Sequence, residues 1–420
     1  MRIGLLIPEL TREGGAERQA LSLAAALTEA GHDAPIYTAI SDAARCYPDL
    51  QRRVDVRPCG RPASTNLPLN GRARAYAEMR RLAASVSGPV DVLNPHGWPA
   101  HWAAVLAARR LPGRPPVVWM CNDYLWPPGL LLRPPWWAPA RHPRYLARRL
   151  TRLYDRSVVH RIDRVAVLDT SMAERVRQGY GVEPIVVRTG VDAERLSAVD
   201  GRAIEALRRR LAVGRDTTLL LFVGILMPHR RLEDVLRALA APAVRAKDVR
   251  LLVVGGKGQY PGYARSLEAL AQEARVSDRV TWASEVPEAD LPLYLHAADA
   301  FIFPNENQTW GLAVTEAMAS GTPVIVSTGC GVSEVLTDGV TALLVPPRRP
   351  DLIAERVAAL IDNPQAAAAL GREGRRLVRE TLSWDRYAQS MLRLFEEALS
   401  ARYAVPAAGP VTGRREIADA

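Results

Sequence analysis

Short, continuously apolar runs, each followed by a stretch of helical character, recur along the whole chain and constrain its fold more than any other feature. "RIGLLIPEL" (2–10) precedes "GGAERQALSLAAALTEAGH" (14–32), a helix expected to end at Gly31. The runs "APIYTAI", "VDVLNPH", "PPVVWMC" and "DRVAVL" continue the alternation. A second series reads "TLLLFVGIL", "VRLLVVGG", "RVTWA", "AFIFP" and "TPVIVS". Strands that are apolar on both faces belong to parallel sheets covered on both sides by helices. Two such series predict two doubly wound domains, joined near "VVRTGVDAERL". Ligands of such sheets sit beyond the carboxyl ends of the strands, so the cleft between the domains is the expected site. Helical sequence from Arg372 to Tyr403 closes the chain, and the Pro/Gly/Ala-rich stretch 405–420 is expected to be disordered.

A chain of 420 residues suffices for two or three domains with separate cores. The formal charge of +10 raises the question of a nucleic-acid partner. Its make-up speaks against one: Lys247 and Lys257 are the lysines among 55 basic residues, and all the others are arginine, the pattern of a compositional bias. No Cys/His finger spacing or basic-aromatic RNA signature accompanies the charge, so no nucleic acid is expected as partner. Cys46, Cys59, Cys121 and Cys330 lack metal-ligand spacing and are too few for a disulfide framework, which fits reduced thiols in a cytoplasmic protein. The first apolar run is too short for a signal peptide, and no stretch approaches the roughly 20 apolar residues of a spanning helix. The expectation is a soluble, cytoplasmic protein, at most peripheral at the inner membrane face.

The stretch "NENQTWGLAVTEAMASGTPVI" (305–325) sets a lone acid, Glu316, inside a short helix of small and apolar residues. Burying an unpartnered charge is costly, so the acid either accepts hydrogen bonds from a neighbouring loop or meets a ligand. The helix begins at about Gly311 after the strand "AFIFP", and its free N–H groups form an anion site that glycine lets a ligand approach closely. Glu316 lies four residues after Leu312, about 6 Å along the axis, and leans back toward the helix start. A diphosphate at the tip and a ribose diol at Glu316 would suit a nucleotide.

The pattern Gln308-x-Trp310-Gly311-Leu312-x-x-x-Glu316-Ala317-Met318-Ala319-x-Gly321-x-Pro323 resembles the signature of family-4 glycosyltransferases, retaining enzymes of the GT-B fold that use nucleotide-sugar donors. The resemblance implies that Glu316 binds the nucleotide ribose. It places Gln308 where the family has a first Glu that holds a donor-sugar hydroxyl; an amide there still donates and accepts hydrogen bonds but has lost the charge. "GGAER" resembles the family's glycine loop, with Gly14 and Gly15 near the donor. "FVGILMPHRRLEDVL" stands where the family has an Arg and a Lys; Ile225 replaces the Arg, Arg230 aligns with the Lys, and Arg231 is a candidate for the second charge. "SEVPEADLPLYLHAADAFIFP" resembles the loop that holds the base, with Val286 in it, and "GCGVSEVLTDGVTALLVPP" resembles the closing segment. "VVRTGVD" is similar to the interdomain segment, with Thr189 in place of Asn. The implied domains are 1–195 for the acceptor, with helix 386–404 packing back on it, and 196–385 for the nucleotide sugar.

By the same resemblance His96, at the end of "DVLNPH", faces the reacting sugar; a histidine at a strand end is otherwise structural. Asn122 and Asp123 in "CNDYLW" either contact the acceptor or make an Asx turn. The segment 126–156 carries Trp126, Trp136, Trp137 and seven arginines between Arg133 and Arg156 against one acid, Asp155. It reads as a membrane contact, as an acceptor pocket, or as a lid over the cleft or a purely structural segment. No Asp-x-Asp occurs in the chain, so no metal and no cofactor is expected, and leaving-group charge falls to Arg230, Arg231 and the helix tip. The expected function is transfer of a sugar from a UDP- or GDP-sugar to a hydroxyl of a sugar, cyclitol or lipid-linked glycan with retention. The alternatives are a GT-B epimerase or hydrolase acting on the donor alone and a non-catalytic nucleotide-sugar-binding protein.

Overall fold

The computed structural model describes residues 1–60, 71–122, 143–258, 260–307 and 309–403. The first half supplies β1 (Ile3–Leu10), β2 (Ile36–Ser41), β3 (Val56–Pro58), β4 (Val92–Pro95), β5 (Val118–Met120), β6 (Arg164–Val167) and β7 (Ile185–Val186). The second supplies β8 (Thr218–Val223), β9 (Val249–Val254), β10 (Val280–Ala283), β11 (Ala300–Phe303), β12 (Val324–Ser327) and β13 (Leu343–Val345). The strands pair in parallel in the orders β3-β2-β1-β4, β5-β6-β7 and β10-β9-β8-β11-β12-β13. Single bridges from Leu93 to Val117 and from His96 to Met120 join the first two sheets edge to edge. Parallel strands with apolar residues on both faces need cover on both sides, and helices from the intervening segments provide it.

Both sheets reverse their winding at an inner strand pair, β1 with β4 and β8 with β11. Such switch points open a crevice beyond the strand ends, and the two crevices face each other. The helix Gly15–Glu29 is buried from Arg18 to Leu27, because the terminal helix Trp384–Tyr403 packs along it. To get there the chain crosses back at Ser383, where Val191 N donates to Leu382 O at 2.9 Å. A Cβ on Gly190 would stand 2.4 Å from the backbone of Ser383 and Trp384, so only glycine lets the two chains touch.

Three details differ from the sequence reading. The edge strands β3, β7 and β13 were not expected; each has only two or three residues, too short to show a pattern. The run "TLLLFVGIL" (218–226) does not stay one strand: β8 stops at Val223, where Gly224 turns the chain at φ 151. The closing helical stretch starts earlier than Arg372, with the helix Pro364–Thr381, and the helix Trp384–Tyr403 follows after the crossing beside Gly190.

Candidate active site

A cleft of about 1370 Å³ opens between the two sets of strand ends. On the side of the second sheet, the helix Leu312–Ser320 starts at Gly311, whose φ of 111 only glycine adopts readily. A Cβ there would press to 3.0 Å on the Phe303 ring at the end of β11. The Arg230 guanidinium lies over the same ring, 5.8 Å from its centroid. Arg230 and the N–H groups of the helix start thus converge around one aromatic side chain. With the Asn305 amide turned to suit, its Oδ1 accepts from Arg230 Nη1 at 2.7 Å. Among the described residues no carboxylate pairs with Arg230, and burial lowers its pKa from the usual arginine range. Glu316, only 6% exposed, also lines the cleft, as do Val286 and Leu312. Trp310 lines it too and is buried, its Nε1 without a hydrogen-bond partner among the described residues.

On the opposite wall stand Gly14, Gly15, His96 and Asn122. Asn94 Nδ2 donates to Val118 O at 2.6 Å, which leaves Asn94 Oδ1 facing His96 Nε2 at 2.8 Å. His96 is therefore the Nε2–H tautomer, with a bare Nδ1 that has no hydrogen-bond partner among the described residues. Burial pushes its pKa down to about 3, so at neutral pH the ring is uncharged and serves as a hydrogen-bond acceptor. Asn122 Nδ2 donates to Gln19 Oε1 at 2.8 Å. Gln308, Asp123 and the tryptophans at 126, 136 and 137 lie outside the described residues.

Arg231 does not join the others. It sits at φ 53, and its guanidinium is held by Asp234 at 2.9 and 3.0 Å and by Glu233 at 2.8 Å. The two acids that follow it in "RRLED" satisfy the charge locally, so the expected second cation for a leaving group is turned aside. The sequence reading also passed over Arg18, Glu288, Arg195 and Tyr47. Arg18 Nη1 donates to Glu316 Oε1 at 2.8 Å and pairs with Glu288 as well. It missed the roles of Gly224 and Gly255 too, although a glycine directly after each apolar run was a visible signal. A Cβ on Gly255 would meet Gly224 O at 1.9 Å, so these glycines let the ends of β8 and β9 close the cleft floor.

The family model described as Glycosyltransferase Family 4 matches residues 13–195, and that described as Glycosyl transferases group 1 matches residues 203–377. The D-inositol 3-phosphate glycosyltransferase of Xylanimonas cellulosilytica is 30% identical over 402 residues, spanning 93% of each chain. The chain belongs to the family-4 glycosyltransferases. The enzyme of the same name from Corynebacterium glutamicum is 27% identical over 361 residues, which cover 79% of this chain and 85% of that one. Among solved structures, a glycosyltransferase from Rickettsia africae superposes with a TM-score of 0.76 at 15% identity, covering 95% and 98% of the two chains. Anabaena HepE, solved in complex with UDP and glucose, superposes with a TM-score of 0.74 at 17% identity over 94% and 99%. The fold of this glycosyltransferase is GT-B, as the two facing parallel sheets require.

Among the described residues no helix of the enzyme is long and apolar enough to cross a membrane, and no group of three or more His, Cys, Asp or Glu is placed to hold a metal ion. The helix Pro143–Val159 has a two-sided character. Its one acid, Asp155, is buried and accepts from His101 Nε2 at 2.9 Å, Trp102 Nε1 at 2.6 Å and Tyr180 Oη at 2.5 Å. Leu150 and Leu153, each 57% exposed, stand on the other side with Arg149 and Arg156.

Proposed function

We propose that this glycosyltransferase takes a nucleotide-sugar donor on its second domain and transfers the sugar, with retention, to a hydroxyl acceptor on its first. The observation that carries the reading is Arg230, a cation with no carboxylate partner among the described residues, converging with a glycine-capped helix start around Phe303. Such an arrangement stabilises the negative charge that grows on a departing diphosphate. Glu316, on the same helix, accepts from the ribose hydroxyls. In a front-face reaction the C1–oxygen bond to the diphosphate breaks while the acceptor oxygen bonds to C1 from the same side. The acceptor proton passes to the departing phosphate oxygen. Neutral His96 offers Nδ1 to a sugar hydroxyl and moves no proton.

The test is turnover of pooled UDP-, GDP- and dTDP-sugars by purified protein, with and without acceptor, the product anomer being read by NMR. D-inositol 3-phosphate is the first acceptor to try, since relatives carry its name. Donor loss that needs no acceptor would instead favour a hydrolase or epimerase, and an inverted product would overturn retention. Metal-independent transfer is part of the proposal, motivated by a sequence without Asp-x-Asp. Activity is expected to persist in EDTA, and a strict requirement for Mg²⁺ would contradict this.

The exposed Leu150 and Leu153 beside Arg149 and Arg156 support peripheral contact with an anionic membrane surface. The wild type is expected to co-sediment with phosphatidylglycerol vesicles, and the double variant Leu150→Asp, Leu153→Asp to stay in the supernatant. Equal partitioning of a folded double variant would remove this face from consideration.

A further inference from the structure

The inner wall of the cleft holds a charge cluster that spans both domains. Arg18, in the first turn of the helix Gly15–Glu29, is 5% exposed. Its Nη1 donates to Glu316 Oε1 at 2.8 Å and pairs with Glu288. The Arg18 guanidinium also lies over the Tyr47 ring, 5.7 Å from its centroid, and Tyr47 Oη donates to Gly14 O at 3.1 Å. Glu288 pairs in turn with Arg195 Nη2 at 2.9 Å, and Arg195 Nη1 donates to the Glu288 carbonyl at 3.2 Å. Burial alone would lower the Arg18 pKa, but Glu316 and Glu288 outweigh it and hold the guanidinium above its ordinary range. Burial and the neighbouring Glu316 charge raise the Glu288 pKa, against the pull of Arg18 and Arg195.

Two carboxylates on one buried wall repel each other and would turn apart or take up a proton unless a cation stands between them. Arg18 is that cation, and it comes from the domain opposite both acids. Its bond to Glu316 uses Oε1, while Glu316 itself lines the cleft. We propose that Arg18 is a positioning residue for the ribose of the nucleotide: it holds Glu316 by one oxygen so that the other is presented to the ribose diol. The ribose subsite is then built from both domains and is complete only when the cleft is closed on it. This rests on the reading of Glu316 as the ribose acceptor. It also gives the "GGAER" loop a task beyond its glycines, since the loop's last residue reaches across to the donor helix.

The test removes one ribose hydroxyl and asks which side chains notice. Calorimetry gives the affinity of UDP and GDP for the wild type; the tighter nucleotide is then compared with its 2′-deoxy form in the wild type and in Glu316→Gln, Arg18→Ala and Arg18→Lys. The wild type is expected to lose about tenfold on deoxygenation, as for a hydroxyl bonded to a charged group. In Glu316→Gln and Arg18→Ala the loss should shrink to about twofold or less. Arg18→Lys keeps the charge but not the fork that spans two acids, so an intermediate loss is expected, and this variant carries the test if Arg18→Ala does not fold. A full deoxygenation loss in Arg18→Ala or Arg18→Lys, together with a reduced one in Glu316→Gln, would overturn the role of Arg18 and leave Glu316 in place. A full loss in Glu316→Gln, or no binding of either nucleotide to the wild type, would overturn the ribose reading and this inference with it.

Discussion

Glu316→Ala is expected to weaken nucleotide binding about 10- to 150-fold, with activity at low donor concentration falling in step. Removing a charged hydrogen-bond acceptor costs about 1.5–3 kcal/mol. The structure makes the substitution a clean one. Arg18 would lose one acid and keep Glu288, which Arg195 also holds, so the wall of the cleft retains a paired guanidinium. The short helix Leu312–Ser320 keeps its glycine caps at both ends, Gly311 and Gly321, and alanine favours helix at that position. Calorimetry with UDP and GDP, beside a circular-dichroism melt, measures the effect. Unchanged affinity in a folded variant would show that the ribose lies elsewhere.

Arg230→Ala is expected to lower kcat about 10²- to 10³-fold while changing donor affinity far less, because charge on the leaving diphosphate is largest in the transition state. Stability should move the other way or not at all. The guanidinium is partly desolvated, and among the described residues its Nε has no hydrogen-bond partner and no carboxylate offsets its charge. Alanine there removes an electrostatic cost, so the melting temperature of the empty enzyme is expected to hold or rise. This opposition of activity and stability is what a residue kept for chemistry shows. A kcat within about twofold of the wild type would move the leaving group away from Phe303. Arg231 is no substitute, since Glu233 and Asp234 already hold it.

The fate of Arg230 and Arg231 shows where reading a sequence stops. Adjacent arginines at a helix start are equivalent as letters. The chain separates them because Arg231 takes φ 53 and meets two acids of the next turn, while Arg230 turns over Phe303, a residue 73 positions away in the sequence numbering. His96 was legible as a position, at the end of an apolar strand. Its tautomer was not, because that depends on Asn94 being fixed by Val118 from the neighbouring strand.

By itself the sequence determined the two parallel sheets, the cleft at their strand ends and the glycine-started helix that carries Glu316. All of these follow from local rules: continuous apolar runs for strands buried on both faces, and glycine where the backbone takes a positive φ or another chain passes close. Tertiary structure alone decided which charges meet. Arg18 and Glu316 are 298 residues apart, and no periodicity relates them. Their pairing exists because two separate switch points, one in each sheet, face each other across one cleft. Coulombic partners are chosen by distance and burial in space, and neither is written in the spacing of residues along a chain.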